Sequence, residues 1–117
     1  MGTWAAGPFG NDAALDFVGS ALDHLMSAVN EFLDDRQIDE TLDAAFAAIV
    51  LINSVMEQTP SRPWGEDGQV KGEPIREAML TCFDEQIDGM KPDPEYKREH
   101  RAALVSALDR FVALLKE

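Results

Sequence analysis

A single cysteine, Cys82, is all the thiol chemistry the sequence holds, which excludes an internal disulfide. Its setting, AMLTCFDEQI, reads as a helix with the thiol near an apolar face, a core position in a reducing compartment. Long apolar runs are missing as well. The longest, Ala44 to Ile52, has nine residues, far short of the roughly 20 needed to span a bilayer. No basic segment followed by an apolar one opens the chain, so a soluble, unexported, cytoplasmic protein is expected. Positive charge is scarce: 10 Lys and Arg stand against 22 Asp and Glu, a formal net charge of −12. That field disfavours nucleic acid and anionic membrane as partners and suits a basic protein or a cation.

Patterns that carry chemistry are also lacking. Carboxylates pair at Asp34-Asp35, Asp39-Glu40 and Asp84-Glu85, but nothing marks one member of a pair as desolvated, which acid–base work requires. The stretch DDRQID lacks the alternating oxygen ligands, central glycine and closing glutamate of a calcium loop. Neither His24 nor His100 has a Glu or His at the spacing of a helical metal site; His100 reads as a histidine at the rim of the core. No serine sits in a nucleophile elbow. Gly7, Gly10, Gly65, Gly68 and Gly72 form no phosphate cradle. No catalytic, metal or cofactor-binding residue is therefore assigned, and no cofactor is expected.

What is present is helical. From Asp12 to about Leu33, the residues Leu15, Val18, Leu22, Leu25, Val29 and Phe32 alternate at spacings of three and four, a seam broad enough for a bundle. A second helix is expected from Asp39, its cap, to Gln58; its centre, AAFAAIVLI, is apolar on every face and should be surrounded. Residues 59–73 hold two prolines and three glycines without a period and read as one long loop. A third helix should start at Pro74 and end at Gly89 in a left-handed cap. Asp93-Pro94-Glu95 starts the fourth, whose core stripe is Leu104, Leu108, Phe111 and Leu115. Its first two turns should lie at the rim. The expected fold is an all-α, four-helix bundle-like single domain over residues 1–117, with an extended N-terminal arm docked over 1–11. Sequence neighbours should pack antiparallel, although the long loop permits a crossover. Charge divides unevenly, with four basic and seventeen acidic residues before position 91 and six basic and five acidic from there on.

The arm itself, MGTWAAGPFGND, sets Trp4 and Phe9 among small residues, and both aromatics should pin it to the bundle, covering Phe17. Asn11 or Asp12 then caps the first helix. This opening, MGTWAAGPFGNDAALD, resembles a family of small bacterial proteins of unknown function that typically begin Met-Gly-x-Trp-Gly-x-Gly-x-Phe-x-Asn-Asp. The matching residues are Gly2, Trp4, Gly7, Phe9, Asn11 and Asp12, while Ala5 departs from the usual glycine. The resemblance implies no activity.

The expected function is a non-catalytic protein-interaction module, monomeric or homodimeric. One specific form of it is an inhibitor or immunity-type protein toward a basic partner, drawn in by the acidic portion. The contact is expected at Trp64 with Arg62, Glu66 and Asp67, an aromatic among charges and flexible glycines. The other reading of Trp64 is a cap over an open end of the core. The alternative function is a metal-dependent or hydrolase-like activity using Asp12, Asp16 and a histidine brought together by folding.

Overall fold

Polar caps set the helix starts. In the computed structural model, which describes residues 7–117, the Asn11 side chain accepts from the Ala14 amide at 2.8 Å and opens α1, Asp12–Asp34. Asp39 accepts from the Thr41 amide at 2.8 Å and opens α2, Glu40–Gln58. Asp93 accepts from the Glu95 amide at 2.9 Å, with Pro94 behind it, and opens α4, Pro94–Leu115. Between α2 and α4 lie a hairpin of two short strands, β1 (Trp64–Gly65) and β2 (Gly68–Gln69), and α3, Gly72–Gln86. The fold is all-α and bundle-like, as the periodicity predicts.

The core stripe of α1 follows the helix rather than a strict heptad. Val18, Leu22, Val29 and Phe32 are buried, but Leu25 is half-buried and Met26 takes its place inside. Met26 lies four residues after Leu22 and three before Val29, so it falls on the same face of the helix as they do. Leu104, Leu108, Phe111 and Leu115 of α4 are all buried.

Helix α1 packs on α2, α2 on α4 and α4 on α3. Contacts between α2 and α4 advance together, from Phe46 with His100, through Asn53 with Ala107, to Glu57 with Arg110, so these two helices run parallel. Between α3 and α4 they run in opposite senses, from Glu73 with Lys116 to Asp88 with Lys97. The long connection therefore stays at one end of the bundle, beside the last turn of α4, and α3 packs chiefly on α4. The uneven charge of the sequence is spent here. Lys97, Arg101 and Lys116 pair with Asp88, Asp84 and Glu73, and Arg110 pairs with Glu57.

Five expectations change. Residues 59–73 are not without structure: Trp64 pairs with Gln69 and Gly65 with Gly68, with Gly68 at φ +115 where glycine is favoured. Helix α3 starts at Gly72 rather than Pro74, because a residue without a Cβ fits against Val112 and Leu115 of α4. It ends at Gln86 in a 3-10 turn, Ile87–Met90, and the left-handed residue is Lys91 at φ 52 rather than Gly89. Helix α2 is not surrounded: α1 and α4 cover two of its sides, while Ala44, Ala47, Val50 and Leu51 stay exposed on the third. Phe17 is not covered and is 75% exposed.

Candidate functional site

Tyr96 and His100 sit four residues apart on one face of α4, so their rings meet, and His100 reaches on to a neighbouring helix. There lies Phe83 of α3, fully buried, whose ring stacks on His100 with centroids 5.6 Å apart. Tyr96 stacks on His100 at 5.4 Å, and Phe46 of α2 meets it edge-on at 5.5 Å. The rim histidine of the sequence is thus half-buried inside an aromatic cluster drawn from three helices.

Beside the cluster lies a cavity of about 370 Å³. Ile38, Leu42, Phe83 and Ile87 make its apolar wall, and Met90 and Pro92, brought round by the turn at Lys91, make one rim. The opposite rim is the first turn of α2, with Asp39, Glu40 and Asp43. The α1–α2 connection is held over this end by Gln86, whose Oε1 accepts from the Ile38 amide at 2.8 Å while its Nε2 donates to the Arg36 carbonyl at 2.9 Å.

Among the described residues, none of Asp39, Glu40 and Asp43 takes part in an ion pair. Hydrogen bonds from the Thr41 hydroxyl and amide hold the Asp39 carboxyl below the usual carboxylate range. The start of α2 contributes roughly half a positive charge, which three carboxylates outweigh. An apolar pocket with a negative rim suits a cation carried on an apolar stem, and no group there is paired as nucleophile with base.

The residues singled out from the sequence fall elsewhere. Trp64 is 65% exposed on the hairpin, with Glu66 and Asp67 exposed at its tip. Arg62 turns inward and donates to the carbonyls of Ser61, Thr59, Met56 and Leu114. This hairpin is tied to the last turn of α4, since Gln69 donates to the Leu115 carbonyl. Fifteen residues of α4 separate Leu115 from His100, about 22 Å of helix, so the Trp64 loop and the cavity occupy opposite ends. Phe9 is half-buried against the core and Gly7 accepts a hydrogen bond from the Gly10 amide. The docking of Gly2 and Trp4 lies outside the described residues.

Asp12 and Asp16 are exposed at the start of α1 and are not joined by a histidine. His24 is exposed two turns beyond Asp16, and His100 lies toward the opposite end of the bundle, beside the first half of α2. Among the described residues, no group of three or more His, Cys, Asp or Glu could hold a metal ion. Cys82 is buried, and its thiol is pushed up by that burial first and by the Asp39 and Glu85 carboxylates second, which keeps it protonated and unreactive. No described helix is long and apolar enough to cross a membrane.

Sequence reasoning passed over Met90, Pro92 and Ile38, which reach the cavity only through the fold. The Tyr96–His100 spacing and the wholly apolar centre of α2 were the two signals that point there.

Residues 2–116 match the family described as Domain of unknown function (DUF4259), and the chain belongs to that family. No curated protein and no solved structure matches the chain.

Proposed function

We propose that the chain is a non-catalytic protein-interaction module for a basic partner, which it engages at the His100 end of the bundle. One observation carries this reading: Asp39, Glu40 and Asp43 line an apolar cavity and take no part in an ion pair among the described residues, whereas Asp84, Asp88, Glu57 and Glu73 are neutralised by α4. Unpaired charge beside apolar surface is what a charged partner with an apolar portion recognises. The net charge of −12 adds steering at a distance. An inhibitor or immunity-type protein is the specific form this takes if the basic partner is itself a toxin or enzyme. Trp64, with Glu66 and Asp67, offers a second candidate contact at the other end; Arg62 is left out of it, since its donors are engaged within the chain.

The test is a titration of the isotope-labelled chain with a lysine-rich peptide, followed by amide shifts. Shifts concentrated at residues 38–43 and 96–100, weakening steeply with salt and lost in Glu40→Gln with Asp43→Asn, support the reading. A lysine-rich peptide that leaves those amides unmoved at low salt removes it.

A further inference from the structure

We propose that the open face between α2 and α4 receives an amphipathic helix of the basic partner, a proposal that rests on the reading above and adds the shape and chemistry of what is bound. Six large hydrophobic side chains are exposed among the described residues, and four of them, Val50, Leu51, Met90 and Tyr96, fall along this one side. The cavity beside His100 does not end there. A shallow depression of about 500 Å³ continues it over Phe46, Ala47, Val50 and Leu51, sharing Asp43 and His100 with the cavity. A further one of about 420 Å³ shares Phe46 and Val50 and runs on between Ser54 of α2 and Ala103, Ser106 and Ala107 of α4. The small side chains of α4 let a backbone come close.

The length fits a helix. From Asp43 to Glu57 the face spans fifteen residues of α2, a rise of about 21 Å, the length of roughly four helical turns. Backbone chemistry decides between helical and extended occupants. The main-chain groups of α2 and α4 along this face are spent inside their own helices, so an extended segment laid there would leave its own amides unpaired against apolar surface. A helix satisfies itself and presents only side chains.

Charge fixes the partner and its direction. At one end Glu57 is already paired with Arg110 at 3.4 Å, whereas at the other Asp39, Glu40 and Asp43 stand together with no ion pair among the described residues. A lysine or arginine near one end of the bound helix reaches those carboxylates while its stem lies in the cavity. A second copy of the chain is the wrong occupant, because same-face pairing sets two acidic surfaces, each from a chain of net charge −12, against one another.

The experiment titrates the full chain with two peptides of about 16 residues and equal lysine content. One places leucines at the i, i+3, i+4, i+7 spacing of an amphipathic helix; the other carries serine in their place. The proposal expects the first to bind more tightly by at least about ten-fold, to gain helical circular dichroism, and to shift the amides of residues 46–51 and 103–107. Val50→Asp and Leu51→Ser, both at exposed positions, should abolish that preference without changing the melting temperature, while binding of the serine peptide persists. Equal binding of the two peptides with shifts confined to residues 38–43 overturns the proposal and leaves the broader reading standing. No binding by either removes both. A dimer in sedimentation that Val50→Asp dissociates also overturns it, by identifying the second copy as the occupant.

Discussion

The His100 imidazole lies on the Phe83 ring with centroids 5.6 Å apart and planes inclined by 26°, a ring contact that joins α4 to α3 beside the Arg101–Asp84 ion pair at the acidic end of the bundle. Phe46 adds α2 by an edge contact at 5.5 Å. Each aromatic pair is worth about 0.5–1.5 kcal/mol beyond the area it buries. His100→Ala should therefore cost about 1–3 kcal/mol in urea denaturation, and Phe83→Ala about 3–5 kcal/mol because its ring is wholly buried. A His100→Ala chain as stable as the parent would mean that the ring lies loosely over a core complete without it.

Two helical glycines should respond oppositely to alanine. At Gly72 an added Cβ would meet Val112 at 3.0 Å from Cγ2 and 3.1 Å from Cα, and the second of these is backbone that cannot swing aside. Overpacking of this kind costs about 1–3 kcal/mol. At Gly19, inside α1, nothing lies within 4 Å of the added atom, so alanine there should stabilise by about 0.5–1 kcal/mol through helix propensity alone. Thermal melts of the two variants should move in opposite directions.

The α1–α2 connection depends on Gln86. Its carboxamide satisfies the part-buried Ile38 amide and the exposed Arg36 carbonyl together, so Gln86→Leu leaves the Ile38 amide unmatched and should cost about 1 kcal/mol. Hydrogen exchange at the Ile38 amide should rise by more than the global change in stability. Exchange that rises no more than the global value would show that water replaces the side chain at no cost.

These relations also mark how far the residues alone could carry the fold. The seam of α1, the caps at Asn11, Asp39 and Asp93 and the stripe Leu104–Leu108–Phe111–Leu115 were legible because capping and helical period act over a few neighbours. The start of α3 was not. Pro74 is a strong local signal for a first position, but the contact of Gly72 with Val112 is set 40 residues away. Gly89 was likewise outvoted, since the 3-10 turn delays the left-handed residue to Lys91. The cavity escaped notice for the same reason: Ile38, Phe83 and Met90 share no local pattern, and the parallel packing of α2 on α4 brings the Asp39–Asp43 turn beside His100.

Acid should weaken the domain through Asp84. Hydrogen bonds from Arg101 at 2.8 and 2.9 Å, and then the charges of Arg101 and Lys97, hold its carboxyl below the ordinary 3.8. A carboxylate lowered on folding contributes stability that is complete above its unfolded value and is lost as pH falls through the folded one. The loss should thus appear below about pH 4. Both side chains are nearly half exposed, so the pair is screened and contributes only about 0.2–1 kcal/mol. Asp84→Asn should flatten the acid limb of the stability profile by that amount, and high salt should do the same to the parent.

The loop after α2 holds two residues whose replacement should give contrary results. Trp64 is the larger side chain and, from the sequence, one reading makes it a cap on the core, but it stands 65% exposed on β1. Its loss removes little buried surface, so Trp64→Ala should change stability by no more than about 0.5 kcal/mol. Arg62, two residues earlier, is expected from the sequence to share its partner contact. In the fold its guanidinium gathers four backbone carbonyls at 2.8 to 3.3 Å, from the end of α2, the loop itself and Leu114 of α4. Cutting the side chain removes the one charged donor that these part-buried carbonyls share. Hydrogen bonds to a charged group contribute about 1.5–3 kcal/mol, and Arg62→Met, which keeps the stem and deletes the donors, should cost an amount in that range. Arg62→Lys should recover only part of it, since one ammonium cannot face α2 and α4 together. Equilibrium denaturation of the three variants separates the cases: a Trp64→Ala loss as large as that of Arg62→Met would return the tryptophan to the core and withdraw it as a candidate partner contact.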